Sequence, residues 1–127
     1  MPVRSTYSSL MATLRRIAPI FPVRDLNAAL AHYALLGFTT RMYEGGGYGF
    51  ATSGGVEIHL GMADQTAGRT SAYLFVDDAD DLASIWQSAG VTIHPPQDTE
   101  WGQREGVVVD PDGNVIRFGS PMKPESS

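Results

Sequence analysis

The residues of this 127-residue chain whose types and spacing bear on chemistry are three histidines, a glutamate two places from one of them, and a set of large aromatic side chains. Glu57 and His59 would share one face of a strand, because side chains two apart point the same way. Together they offer two donors, short of the three or four protein ligands that hold a zinc-like ion. His32, in a helical stretch, and His94, before Pro95 and Pro96, read as surface or turn residues. The absence of cysteine removes thiolate metal sites, disulfides and a cysteine nucleophile. Neither a Gly-x-Ser-x-Gly elbow nor a phosphate loop is present, and Gly45-Gly46-Gly47, without a following helix or lysine, reads as a hairpin turn. No catalytic residue is assigned. What the chain offers instead is a lining for a flat guest: Met42, Tyr43, Tyr48 and Phe50 around one glycine turn, Tyr73 in a later strand, and Trp101 in a polar loop. Stacking gains roughly 1 to 3 kcal/mol per ring, and a cation held against such rings gains about 1 kcal/mol more.

Composition points the same way. A net charge of -5 and a pI near 4.9 argue against a phosphate-tracking surface, so nucleic acid is not an expected partner, and if a charged ligand is bound this field favours a cation. No apolar run approaches the roughly 20 residues that span a bilayer. The acid-free first 24 residues, with Arg4, Arg15 and Arg16, faintly resemble a transit peptide in composition, but read better as an arm without a targeting role. A cytoplasmic location is expected.

The elements that position these side chains emerge from an internal repeat. A shift of 53 places sets Val23, Asp25, Gly37 and Thr39 on Val76, Asp78, Gly90 and Thr92. In the first copy Ile17 to Val23 reads as a strand, irregular or at an edge because Pro19 and Pro22 cannot donate to a ladder. Asp25 caps a helix whose apolar stripe is Leu26, Ala29, Leu30, Tyr33 and Ala34, and Gly37 stops it. In the second, Tyr73 to Val76 is the strand, Asp78 the cap, and Leu82, Ile85, Trp86 and Ala89 the stripe ending at Gly90. Short strands follow each helix: Thr39 to Tyr43, Tyr48 to Thr52 and Val56 to Gly61 in the first half, then Val91 to His94, Glu105 to Asp110 and Val115 to Gly119 in the second. A long loop, Pro95 to Gln103, and the turn Asp110-Pro111-Asp112-Gly113-Asn114 separate the last three. The class is therefore α+β, two βαβββ modules at 16–61 and 71–119 joined by a linker at 62–70. They form a single domain over 16–120, with an N-terminal arm at 1–15 and a C-terminal tail at 121–127.

Pro22-Val23-Arg24-Asp25-Leu26, Leu36-Gly37-Phe38, Val76-Asp77-Asp78 and the Asp110 to Asn114 turn, in that order, resemble the vicinal oxygen chelate superfamily of glyoxalases, extradiol dioxygenases and bleomycin-resistance proteins. Trp101-Gly102-Gln103-Arg104-Glu105 ahead of that turn resembles the bleomycin-resistance branch, small acidic metal-free dimers that sequester a cationic antibiotic. The resemblance implies a curved mixed sheet with helices outside. It also implies four metal-ligand positions, which fall on Ala18, His59, Ser71 and Arg117. Only His59 is an ordinary donor; Arg117 is a permanent cation that repels a divalent ion by a few kcal/mol, roughly, even in a screened interior.

The expectation is thus a metal-free, cofactor-free binding protein, a homodimer whose clefts hold a bleomycin-like or other planar cation. Its ligand contacts would be Trp101, Met42, Tyr43, Tyr48, Phe50, His59, Tyr73 and Arg117. His59 and Arg117 are expected to face the cups, with Ile58, Leu60, Ile116 and Phe118 behind them. Tyr73 and Phe75 are weighted toward core, and Arg104 with Glu105 toward a pair that orients the Trp101 loop. A metal-dependent glyoxalase-like lyase or dioxygenase is the alternative, and a dimer module without a ligand is a third.

Overall fold

A computed structural model describes residues 12–63 and 70–123. Most of the arm and linker, and the end of the tail, lie outside these. The order is β1 (Ile20–Val23), α1 (Leu26–Leu35), β2 (Thr39–Met42), β3 (Tyr48–Ser53), β4 (Val56–Met62), β5 (Ser71–Phe75), α2 (Ala79–Ser88), β6 (Ile93–Asp98), β7 (Gln103–Val109) and β8 (Val115–Pro121). The strands make two mixed four-stranded sheets, β1-β4-β3-β2 and β5-β8-β7-β6, one from each βαβββ module. No helix among the described residues is long and apolar enough to cross a membrane.

The repeat is reproduced down to the caps. Asp25 and Asp78, both in extended backbone, accept hydrogen bonds from the amides of Ala28 and Asp81, satisfying donors that the first helical turn leaves free. At the other ends Gly37 (φ 97°) and Gly90 (φ 91°) take the left-handed conformation that glycine adopts without penalty. That geometry lets the amides of Phe38 and Val91 reach back to the carbonyls of Tyr33 and Trp86.

Strand alternation then divides the sheet faces. Phe21, Val23, Ile58, Leu60, Ile116 and Phe118 are buried against the helices, which contribute Leu26, Ala29, Tyr33, Ala83 and Trp86. Contacts across the halves join them. Trp86, held within its own module edge-on against Phe118 with centroids 5.0 Å apart, donates its Nε1–H to the Leu36 carbonyl of the other module at 2.8 Å. The Asp110 carboxylate accepts from the Tyr33 hydroxyl, the amides of Asp112 and Asn114, and the Asn114 side chain, all at 2.8 to 2.9 Å. Asn114, fully buried, donates its other side-chain proton to the Pro22 carbonyl of β1. Arg24 closes the outside of this junction through Asp112.

Some boundaries differ from those expected. The ladder of β1 begins at Ile20, not Ile17, because the two prolines confine it to a short edge; just before it the Pro19 carbonyl accepts from the His59 amide. Pro95 and Pro96 belong to β6 rather than a loop: pairing passes from His94 with Val107 to Gln97 with Glu105, so the two prolines sit in a bulge at a sheet edge where no donor is required. The Trp101 loop is correspondingly short, running between Asp98 and Gln103.

Candidate functional site

The concave face of each sheet carries a row of side chains across all four strands. In the first, Arg41, Phe50, His59 and Ile20 stand opposite one another; in the second, His94, Val107, Arg117 and Tyr73 do. His59 and Arg117 are therefore equivalent positions at the centres of two cups, as expected. Their surroundings differ in kind.

The first cup is closed on itself. His59 sits between two partners, Nε2 2.5 Å from the Glu57 carboxylate and Nδ1 2.8 Å from the Tyr48 hydroxyl; in the neutral ring Nε2–H donates to Glu57 and Nδ1 accepts from Tyr48. Glu57 is also paired with Arg16. Phe50 stacks edge-on against His59 with centroids 4.9 Å apart, Tyr48 lies 5.5 Å from Phe50, and the Arg41 guanidinium sits 4.1 Å above the Phe50 ring. The imidazole, the Tyr48 hydroxyl and the Glu57 carboxylate engage one another, so both imidazole nitrogens are spent inside the protein.

The second cup is open. Tyr73, Trp101, Glu105 and Arg117 line a cleft of about 450 Å³, and an adjoining hollow of about 360 Å³ shares Glu105 and Arg117 with His94, Gln97 and Asp98. Trp101 is 67% exposed and Phe75, beside Tyr73 at a centroid distance of 4.8 Å, is 78% exposed. The Phe75 side chain is thus not core: its strand position points into the cup, where nothing in the described chain covers it. Tyr73 leans over Gly119, where a Cβ would overlap its hydroxyl. That hydroxyl is shielded from solvent and has no hydrogen-bond partner among the described residues. Burial first, and the nearby Glu105 carboxylate next, raise the Tyr73 phenol above its ordinary pKa. Glu105, its side chain only 9% exposed, approaches Arg117 at 3.8 Å. Arg104, expected to pair with Glu105, points instead to Asp80 and Asp98, because adjacent strand residues face opposite sides.

Of the residues assigned to the ligand clefts, the structure gathers Tyr48, Phe50 and His59 in the first cup and Tyr73, Trp101 and Arg117 in the second. Met42 is not in either. It stands opposite Gly49, which faces Leu26 and Leu30 of α1, so it lies on the helix side of its sheet. Tyr43 is at the hairpin rim, half-exposed and folded over Gly45. Sequence reasoning missed Glu105 as a cup residue, though its register on β7 opposite Gly119 makes it the carboxylate nearest Arg117. Among the described residues no three His, Asp or Glu side chains converge as a metal site, and three of the four superfamily ligand positions, Ala18, Ser71 and Arg117, lack an ordinary donor. The residues do not fit a metal.

Tyr73, together with Tyr33, whose phenol is pushed well up by burial and then by Asp110, supplies a pH test. A group whose pKa is raised on folding stabilises the native state below its unfolded value, near 10 for tyrosine, and that contribution is lost as pH rises above it. Unfolding free energy should therefore fall above pH about 10. In a phenolate absorbance titration two of the five tyrosines should ionise later than the rest; five ionisations at an ordinary pH would contradict the assignment.

The sequence profile described as the glyoxalase/bleomycin resistance protein/dioxygenase superfamily matches residues 13–118. A bleomycin resistance protein of Klebsiella pneumoniae is 30% identical over 112 residues, 79% of this chain and 87% of that protein. A crystal structure of a bleomycin-binding protein complexed with bleomycin superposes with a TM-score of 0.75 at 26% identity, over 86% of this chain and 100% of that one. TnmS3, an antibiotic binding protein from Streptomyces sp. CB03234, superposes with a TM-score of 0.70 at 27% identity, over 88% of this chain and 100% of that one.

Proposed function

Because the chain belongs to the glyoxalase/bleomycin resistance protein/dioxygenase superfamily, on its bleomycin-resistance branch, we propose that it sequesters an antibiotic, a flat cationic molecule of the bleomycin kind, by stoichiometric binding. The observation that carries this reading is the second cup: an aromatic cleft floored by Glu105 and Arg117 and left open, opposite a first cup whose His59 is already engaged on both sides. A net charge of -5 draws a cationic molecule to the surface around that cleft.

The working form is a two-fold homodimer in the cytoplasm. Within one chain Trp101 and the Tyr48 hairpin belong to different sheets. The exposed apolar side chains of Ile17 and Phe75 flank a further, mostly apolar cleft of about 370 Å³ beside β4 and β5. A second copy laid against this face would cover them and complete a cleft from both chains. A metal-dependent lyase or dioxygenase is not favoured, since His59, the one ordinary donor, is bound on both sides by Glu57 and Tyr48.

Titration calorimetry against bleomycin tests the reading: micromolar or tighter binding at one ligand per cleft is expected, and no heat at micromolar protein removes bleomycin as the ligand. Trp101→Ala should weaken binding by about 10- to 100-fold, one stacked ring's worth, with an unchanged melting temperature because the ring is solvent-exposed. Unchanged affinity would place the guest elsewhere.

A further inference from the structure

The floor of the second cup holds three polar groups whose hydrogen-bonding capacity is unmet within the described chain. The Tyr73 hydroxyl is shielded from solvent and, although the Glu105 carboxylate is close by, closes no hydrogen bond of good geometry among the described residues. Glu105 and Arg117 approach only to 3.8 Å, beyond hydrogen-bond reach, and neither side chain makes another hydrogen bond among the described residues. A carboxylate has about four lone-pair sites and a guanidinium five N–H donors, so even a closed pair would leave most of both unused. Arg117 is half-exposed and reaches water, but the Glu105 carboxylate and the Tyr73 hydroxyl are shielded from it; buried polar groups left short of partners are costly, and a guest that pairs them recovers that cost.

The charges select the guest. A bare cation placed on this floor would meet Arg117 as well as Glu105, and a bare anion would meet Glu105 as well as Arg117. What complements an acceptor beside a donor is a neutral group with a donor beside an acceptor. We propose that the cup recognises the edge of a planar lactam or cyclic carboxamide. Glu105 accepts the ring N–H, Arg117 donates to the neighbouring carbonyl oxygen, and the ring lies against Trp101. Tyr73 donates to the same oxygen or to Glu105. This rests on the ligand-holding reading above and adds which part of the ligand enters the cup; the ligand's positive charge stays outside, in the field of the acidic surface.

Phenanthridinone, a flat fluorescent lactam, and its N-methyl derivative, which has the same rings without the N–H, serve as probes. The lactam should bind the native protein at least about tenfold more tightly, the effect of one charge-assisted hydrogen bond. Glu105→Leu should bring the two affinities together. Arg117→Met should weaken both probes alike, since both keep the carbonyl, and leave their ratio intact. Equal affinities in the native protein, or a preference that survives in folded Glu105→Leu, would overturn the assignment. Should Glu105→Leu not fold, Arg117→Met still decides, because undiminished lactam binding contradicts it. If neither probe binds while bleomycin does, the lactam edge is wrong and antibiotic capture stands; if none of the three binds, both fail.

Discussion

Asp110→Ala should cost about 4 kcal/mol of stability and lower the melting temperature by roughly 15 °C, although the residue sits in a turn. The carboxylate is 6% exposed and accepts four hydrogen bonds. Removing it strands the Tyr33 hydroxyl and two donors of Asn114 in the interior, and each unsatisfied buried group costs about 1 to 3 kcal/mol. The loss should not be rescued by Asp110→Asn, since one of its two positions would present N–H to a donor. A thermal melt within a few degrees of the parent would show that the turn is not a structural junction. Asn114→Ala gives a smaller effect in the same direction, having the Pro22 link, one Asp110 bond and a long bond from the Thr70 amide to lose.

Trp86→Ala should be comparably damaging, about 3 to 5 kcal/mol, through a cavity that the surrounding close-packed side chains fill only in part. The indole is 2% exposed, stacked on Phe118, and is the hydrogen-bond partner of the Leu36 carbonyl at the end of α1. Trp86→Phe keeps the stack and loses the bond, so its cost should fall to about 1 to 2 kcal/mol. Denaturant unfolding with an unchanged m-value separates these stability losses from a change in the denatured state. Because Trp86 is remote from the open cup, ligand affinity of the folded fraction should not change.

The architecture was legible because the chain states it twice. Asp25 and Asp78 at the helix starts, and Gly37 and Gly90 at the ends, carry local rules that need no knowledge of the partner module. The inward and outward faces of the β4 and β8 strands followed from alternation alone, which is why His59 and Arg117 fall where expected. What alternation does not fix is where a strand begins counting. The sequence places Met42 at the cup with its neighbours, yet the register of β2 on β3 gives the cup to Arg41 and turns Met42 toward α1. Pro95 and Pro96 read locally as a loop, and only the edge position of β6 makes them tolerable in a strand. Phe75 was weighed toward core because large aromatics usually are. Its exposure reflects the open cup, a property of the whole sheet. The different fates of the two cups were also hidden: nothing in Glu57 or Tyr48 by itself announces that they will engage His59 on both sides, while Glu105 stops short of Arg117.

The clamp formed by Tyr33, Trp86, Asp110 and Asn114 has a consequence for how the molecule comes apart. Each of its hydrogen bonds between modules has one end in each half of the chain, so neither half can melt without uncovering polar and aromatic surface on the other. Tethering turns what would be a bimolecular docking into an intramolecular one with a high effective concentration. The two halves should accordingly unfold together, in one calorimetric transition, and a protease that cuts between them should yield fragments that stay associated until both are lost.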